Sequence, residues 1–197
     1  MAAKQVIALY SPAPQSGKST VAHILYHIIS KTRPTCILAF ASPIKAMTNA
    51  LLKEMGYDNA LIRDKHYLGD LKEAPVTLFD GKTTARRIMQ TLGTEWGREV
   101  ISKRIWIDIL INKIILSPAR TIIIDDMRFF NEKLALESLD YANIDVFCYK
   151  VIRPSIVYEA THASEGELDN VPFDGVINNA GNIEMLEEEV KKVVGIA

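Results

Sequence analysis

Residues 6–20 read VIALYSPAPQSGKST, and this stretch indicates the fold class of the chain. Its first five residues are apolar, which is typical of a strand covered on both faces in the parallel sheet of an α/β protein. A tight loop follows, and Gly17-Lys18-Ser19-Thr20 begins a segment whose apolar residues have helical spacing. A strand, a loop and a helix in this order predict a phosphate-binding loop, because the backbone N–H groups at a helix N-terminus attract anions.

The residue types in this loop suit a nucleoside triphosphate. Gly17 lets a phosphate approach the backbone, Lys18 can reach the β and γ oxygens, and Ser19 can place its hydroxyl on the Mg²⁺ ion that accompanies ATP. Pro12 stands where the usual G-x-x-x-x-G-K-[ST] pattern has its first glycine, and neither it nor Pro14 has an N–H group. The residues that keep this group are the predicted ATP-binding residues Gln15, Ser16, Gly17, Lys18, Ser19 and Thr20. The alternative is a chance GKST sequence at the start of a helix.

Apolar runs and amphipathic segments alternate along the rest of the chain. Strands are predicted over residues 6–10, 36–40, 121–124, 145–152 and 175–177. Helices are predicted over residues 18–30, 43–55, 95–116 (as one helix or two), 131–139 and 183–194. Ser42 is the predicted N-cap of the second helix, with Pro43 at its first position. The expected fold is a three-layer α/β fold with a five-stranded parallel sheet.

The composition is that of a globular protein of one domain. The 197 residues carry 23 Lys and Arg against 24 Asp and Glu, which disfavours a nucleic-acid polymer or an anionic membrane as partner. The charge is uneven, since residues 82–104 hold six cationic side chains and residues 154–190 hold nine acidic ones and no Lys or Arg. Cys36 and Cys148 lie in apolar runs, and no signal peptide or membrane-spanning segment is recognised, so we expect a cytoplasmic protein. The four histidines have no zinc-site spacing.

A second predicted strand ends in two acidic residues. Residues 121–128 read TIIIDDMR, so Asp125 and Asp126 follow a buried strand. Ligands of open parallel sheets bind beyond the carboxyl ends of the strands, and we therefore expect these carboxylates on the same rim as the phosphate-binding loop. We assign Asp126 to Mg²⁺ through a water molecule, together with Ser19. The alternative is that one of the two acids only caps the following helix.

Several blocks of sequence, in their order and spacing, resemble one family. They are Gly17-Lys18-Ser19-Thr20, Phe40-Ala41-Ser42-Pro43-Ile44-Lys45, Lys72-Glu73, Arg86-Arg87-Ile88-Met89-Gln90, Leu92-Gly93-Thr94-Glu95-Trp96-Gly97-Arg98, Asp126-Met127-Arg128-Phe129-Phe130-Asn131-Glu132, His162-Ala163-Ser164-Glu165 and Asp174-Gly175-Val176-Ile177-Asn178-Asn179-Ala180-Gly181. In these blocks the chain resembles the bacteriophage deoxynucleoside monophosphate kinases, within the P-loop nucleoside monophosphate kinase group. Ser42 departs from the family pattern, which commonly has aspartate at this place.

The resemblance implies a fold and a reaction. The fold is that of a P-loop kinase, one domain over residues 1–197 with a helical acceptor-binding insertion at 46–104 and a lid at 153–172. The reaction is ATP + dNMP = ADP + dNDP by in-line phosphoryl transfer, with ATP as co-substrate and Mg²⁺ as cofactor. The resemblance also suggests a homodimer, and the host cytoplasm as location if the chain is encoded by a phage.

The resemblance further implies roles for individual residues. Lys18, Arg128 and Asp126 are expected to be catalytic. Arg153, Asn179 and Gly181 are expected to contact ATP, the last two beside the adenine. The expected acceptor-binding residues are Ser42, Lys45, Arg86, Gln90, Glu95, Trp96 and Arg98.

Other interpretations fit part of the pattern. A dephospho-coenzyme A kinase, or another small-molecule kinase, would share the phosphate-binding loop and the D-x-x-I-x-N-x-G pattern at 174–181, although the block at 92–98 favours a nucleotide kinase. A nucleotide-sensing protein would bind ATP through the proline-altered loop without catalysis. For Trp96, packing inside the protein is an alternative to stacking on the acceptor base. Asn178-Asn179-Ala180-Gly181 could also be a simple turn.

Overall fold

The computed structural model of the chain describes residues 3–76, 83–156 and 167–196. Part of the predicted lid, together with Lys82 and His162, lies outside these residues. Within the described part, no helix combines the length and the hydropathy that a membrane span requires.

Five strands form one sheet. They are β1 Lys4–Tyr10, β2 Thr35–Leu38, β3 Thr121–Ile124, β4 Ile144–Ile152 and β5 Gly175–Asn178. Their order across the sheet is β2-β3-β1-β4-β5, and each neighbouring pair is parallel. β1, which leads into residues 11–17, is therefore the central strand. The predicted five-stranded parallel sheet is confirmed.

The described residues form seven α-helices, one π-helix and two short 3₁₀ helices. The α-helices are α1 Lys18–Ile29, α2 Ser42–Glu54, α3 Ala60–Tyr67, α4 Ala85–Thr91, α5 Ile105–Leu116, α6 Phe130–Glu137 and α7 Ile183–Val194. The π-helix is Leu92–Ile101, and the 3₁₀ helices are Asp70–Glu73 and Ser138–Ala142. The segment predicted at 95–116 is thus two helices, and the first is not an α-helix.

The sheet is buried on both faces, as the apolar strands predicted. Ile7 and Leu9 of β1 pack in one cluster with Val21 and Leu25 of α1 and with residues of α7. Val6, Ala8 and Tyr10 point to the opposite face, because side chains alternate along a strand, and they are also fully buried. Helices therefore cover both sides of the sheet, and the predicted three-layer α/β fold is confirmed.

The chain divides into two compact units. The first comprises Met1–Ala39 and Leu110–Ala197 and holds the whole sheet, and the second comprises Phe40–Ile109 and is helical. The predicted N-cap of α2 is wrong, because Ala41 occupies that position and Ser42 is already the first helical residue, without a capping hydrogen bond from its side chain. With Pro43 second, the fixed φ of proline still lies in the first turn, where no N–H group is missed.

Candidate active site

The phosphate loop, residues 11–17, joins β1 to α1. Gly17 is the N-cap residue of α1 and has a φ of 93°, in the left-handed region that favours glycine. The first hydrogen bond of the helix runs from the N–H of Val21 to the carbonyl of Gly17, at 2.9 Å. The N–H groups of Lys18, Ser19 and Thr20 therefore have no acceptor inside the helix, and they are the groups that a phosphate would meet.

Two side chains from the far ends of other strands bind the carbonyl groups of this loop. Arg153, just after β4, donates from Nη1 to the carbonyl of Gln15 at 3.5 Å. Asn179, just after β5, donates from Nδ2 to the carbonyl of Ser16 at 2.9 Å. Gln15 has a positive φ of 58°, so the loop adopts a conformation that needs such support. Both residues were predicted to contact ATP, and the structure places both against the loop that would bind it.

Lys18 is partly buried at the start of α1, and its pKa is perturbed. Burial, which disfavours the charged form, and the nearby positive charge of Arg128 lower the pKa of Lys18 from 10.5 to about 8, although the carboxylates of Asp126, Asp125 and Glu132 oppose the shift. The nearby carboxylates therefore do not fully offset the cost of holding the charged ammonium group in this site. A phosphate anion beside it would supply the missing compensation.

Ser19 and Asp125 form the metal-binding candidate of the site. The hydroxyl of Ser19 donates to Oδ2 of Asp125 at 3.4 Å. One hydroxyl and one carboxylate match the sparse protein ligand set of Mg²⁺, which keeps its other positions for water and substrate phosphates. In the described residues there is no cluster of three or more His, Cys, Asp or Glu side chains that could hold a metal on its own. Asp126 was the carboxylate predicted for the metal, and Asp125 is the carboxylate that accepts the hydrogen bond from Ser19.

Arg128 lies in a turn whose backbone is held by a buried carboxylate. Glu132, which is 2% exposed, accepts hydrogen bonds at Oε2 from the N–H groups of Arg128 at 2.9 Å and Phe129 at 3.2 Å. The turn connects β3 to α6, so the side chain of Arg128 starts at the same sheet edge as Lys18. Its charge acts on the pKa of Lys18, which places the two cations near one another. This role of Glu132 was not predicted from the sequence.

The second unit carries the residues predicted to bind the acceptor. Arg86 and Gln90 lie four residues apart on α4, so they share one helix face. Nε of Arg86 forms an ion pair with Glu73, and both side chains are more than half exposed. α2, which carries Ser42 and Lys45 in its first turn, packs against α4. Four of the predicted acceptor-binding residues therefore lie on two neighbouring helices.

The other three lie on the π-helix, which packs against the buried side chain of Trp106. The carbonyl of Gly93 accepts hydrogen bonds from Trp106 Nε1 at 2.8 Å and from Arg98 Nη1 at 3.0 Å. Gly97 packs so closely on the Trp106 ring that a Cβ atom would overlap with it. π-helices are rare and are frequent at functional sites, and this one presents Glu95, Trp96 and Arg98.

Trp96 is not buried in the core. Its side chain is 39% exposed, and its ring lies 6.3 Å from that of Trp106, tilted by 41°. Trp96 therefore packs on Trp106 with one side and keeps the remainder accessible. The role of Trp106 was not predicted from the sequence, although a buried indole N–H needs an acceptor and the apolar run at 105–116 contains no other tryptophan.

The family model for deoxynucleotide monophosphate kinases matches residues 58–190 of the chain. The chain belongs to the deoxynucleotide monophosphate kinase family. The family predicted from the sequence blocks is thereby confirmed. The match runs from before α3 into α7, and so includes Asp125, Arg128, the π-helix and Asn179 of this family member.

Two viral proteins are similar to this family member along most of their length. The deoxynucleoside-5'-monophosphate kinase of Escherichia phage T5 is 23% identical over 83% of this chain and 88% of its own. A protein of Acanthamoeba polyphaga mimivirus, provisionally named deoxynucleotide monophosphate kinase, is 27% identical over 89% of each chain. Among solved structures, the APS kinase of Mycobacterium tuberculosis matches 99% of both chains at a TM-score of 0.44 and 11% identity.

The predicted site residues of the kinase fall into two groups. The first unit gathers the phosphate loop, Asp125 with Asp126, Arg128, Arg153 and Asn179 at the carboxyl ends of the strands. Gly181, predicted to contact ATP, packs on Met185 in the first turn of α7, where a Cβ atom would overlap with the Met185 sulfur. The second unit gathers all seven of the predicted acceptor-binding residues.

Proposed function

We propose that the chain transfers the terminal phosphoryl group of ATP to the phosphate of a deoxynucleoside monophosphate, and that ADP and the deoxynucleoside diphosphate leave. The observation that carries this proposal is the set of groups around the N-terminus of α1. They are the N–H groups that have no acceptor inside the helix, Lys18, the Ser19–Asp125 pair and Arg128. Membership of the deoxynucleotide monophosphate kinase family, and the names of the two viral relatives, support the choice of acceptor.

On the ATP side, this chain's residues bind and neutralise phosphate oxygens. The N–H groups of residues 18–20 would bind the oxygens directly. Lys18 would add a full positive charge, and because its site is partly buried, water would weaken the attraction between this charge and the phosphate less than it does at the surface. The anion in turn would hold the proton on Lys18 Nζ. Ser19 and Asp125 would hold Mg²⁺, and Asp126 would reach it through water. When bound, Mg²⁺ supplies positive charge to the oxygens of the transferred group.

On the acceptor side, the chemistry needs positioning more than proton transfer. An acceptor phosphate is already ionised at neutral pH, so no general base is required, and rate enhancement comes from alignment and charge neutralisation. We assign Arg86 and Arg98 to the acceptor phosphate and Arg128 to the transferred group, because the fork of arginine matches phosphate oxygens. We also assign residues 46–104 to acceptor binding and residues 153–172 to a lid that excludes water.

The proposed function is tested by a coupled assay of ADP formation with ATP, Mg²⁺ and each common nucleoside or deoxynucleoside monophosphate. We expect ADP formation with at least one deoxynucleoside monophosphate, at a rate far above hydrolysis of ATP alone, and its loss when EDTA removes divalent ions. ATP binding without phosphorylation of any acceptor would contradict the proposal and favour a nucleotide sensor. Phosphorylation of dephospho-coenzyme A alone would contradict the assignment of the acceptor.

Arg86→Ala should weaken use of the acceptor and leave ATP binding unchanged. A lost charge-assisted hydrogen bond of about 1.5–3 kcal/mol raises the KM for the deoxynucleoside monophosphate by roughly 10- to 100-fold. Glu73 pairs with Arg86 and would orient its guanidinium toward the ligand. Initial rates at varied acceptor concentration measure the effect. Arg87→Ala, one residue along α4 and also exposed, is the matched control. An unchanged acceptor KM and kcat in Arg86→Ala would remove Arg86 from the site.

A further inference from the structure

Asn179, which follows β5, is anchored by its backbone and donates a hydrogen bond from its side chain to the phosphate loop. Its backbone N–H donates to the carbonyl of Ile152 at 2.7 Å, which fixes the residue at the ends of β4 and β5. From this anchored position its side-chain amide donates to the carbonyl of Ser16 at 2.9 Å. Ser16 itself is 2% exposed, so this carbonyl lies where an unmade hydrogen bond would be costly.

The hydrogen bond to Ser16 controls an N–H group of the loop. A peptide unit is planar, and in a trans peptide the C=O and the following N–H point in opposite directions. The described residues contain no cis peptide bond. Because Asn179 binds the carbonyl of Ser16, the N–H of Gly17 is directed away from Asn179. Arg153 acts in the same way one residue earlier, since its bond to the carbonyl of Gln15 directs the N–H of Ser16.

Gly17 and Asn179 also fit one another in space. A Cβ atom on Gly17 would overlap with Nδ2 of Asn179, so the amide occupies the volume that any other side chain at position 17 would need. Both the left-handed φ of Gly17 and its close approach to Asn179 therefore require glycine at position 17. The conformation of residues 16–17 is therefore set by a residue 163 positions away in the sequence.

We propose that Asn179 is a positioning residue for the phosphate loop, and that it acts on the triphosphate of ATP through the Ser16–Gly17 peptide rather than on the adenine base. The inference rests on the proposed function, because it assumes that the loop binds the triphosphate of ATP. It differs from the role implied by family resemblance, which placed Asn179 beside the adenine. A base contact would act only on ligands that contain adenine, whereas a positioned loop acts on any polyphosphate.

The test compares ATP with inorganic tripolyphosphate, which has the phosphates and no base. Isothermal titration calorimetry should show that Asn179→Ala weakens both ligands by the same factor, about 5- to 10-fold, as expected for one lost hydrogen bond. The acceptor KM should not change. Asn178→Ala, the adjacent and exposed residue, is the matched control and should bind both ligands like the wild type. Asn179→Leu keeps much of the side-chain volume without an N–H donor and without a charge, and it should weaken both ligands by the same factor, so it serves as the second variant if Asn179→Ala does not fold.

The possible outcomes distinguish a failure of the proposal for Asn179 from a failure of the proposed function. Weaker ATP binding with unchanged tripolyphosphate binding would assign Asn179 to the base and overturn the inference. Unchanged binding of both ligands, with phosphorylation intact, would also overturn it and would leave the proposed function standing. A wild-type protein that binds neither ATP nor tripolyphosphate would refute the phosphate loop itself, and with it the proposed function.

Discussion

Lys18→Met is expected to lower kcat for phosphorylation of the acceptor by about 10³-fold while the protein stays folded. A preorganised cation on the transferred phosphate contributes about 10²- to 10³-fold or more to the rate, and methionine keeps the volume of lysine without its charge. ATP affinity should fall as well, because the same ammonium group binds the ground-state phosphates. Steady-state rates at saturating acceptor, together with ATP titrations, measure both effects.

The same substitution should not destabilise the protein without ligand. Burial and Arg128 lower the pKa of Lys18 to about 8, so folding disfavours its charged form. The unfolded chain then binds more protons than the folded one, and the penalty is fully present below about pH 8 and is relieved as the pH rises toward 10.5. At pH 7, removal of the charge should raise the free energy of unfolding by about 3 kcal/mol.

Lys31→Met is the matched control, since Lys31 is exposed just beyond the end of α1. It should change neither turnover nor thermal stability. Near-normal turnover in Lys18→Met would show that the phosphate loop has been assigned wrongly. A marked fall in melting temperature would instead contradict the account of the buried charge.

Much of the fold could be predicted because its signals are local. Strands such as β1 and β3 are apolar at almost every position, which is typical of a sheet covered on both faces, and Gly17 marks the turn from strand to helix. α7 has apolar residues at helical spacing and matches its predicted bounds. Each of these features depends on neighbours in the sequence, so a single sequence is enough to recognise it.

The features that escaped prediction depend on distant partners. The π-helix contacts Trp106, whose N–H donates to the carbonyl of Gly93, and no periodicity within residues 92–101 predicts that contact. Likewise the choice between Asp125 and Asp126 depends on which side chain of a strand end turns toward Ser19. α4 was not predicted, since its seven residues are stabilised by the capping bond from the N–H of Arg87 to Thr84 Oγ1 and by packing on α2.

Charge counting along the sequence had a similar limit. The cationic stretch at 82–104 includes Arg86 and Arg98, which were predicted to bind the acceptor, but a count of charges does not show which of the cations are already paired. The structure pairs Arg86 with Glu73 and Arg104 with Asp108, and it joins Arg98 to a backbone carbonyl. An ion pair orients the guanidinium group of an arginine and still leaves some of its N–H donors for a phosphate. The pairs therefore affect the geometry of the site as well as its charge.

Arg128→Gln is expected to lower kcat by about 10²- to 10³-fold, because it removes the cation assigned to the transferred group. It should also change a property of Lys18. In the wild-type protein ATP affinity should be steady up to about pH 8 and fall above it, as Lys18 loses its proton. Without the positive charge of Arg128 the pKa of Lys18 rises, so the fall in affinity should begin at a higher pH. Titrations of ATP between about pH 7 and 10 measure this midpoint.

Arg128→Lys separates the two effects, since lysine restores the charge and not the fork. The pH midpoint for ATP binding should return toward the wild-type value, while kcat should recover only in part, because one ammonium group cannot hold two phosphate oxygens in the geometry of a guanidinium. Full recovery of kcat in Arg128→Lys would mean that Arg128 acts only as a charge. An unmoved midpoint in Arg128→Gln would mean that its guanidinium does not act on Lys18, and a wild-type kcat would remove it from the reaction.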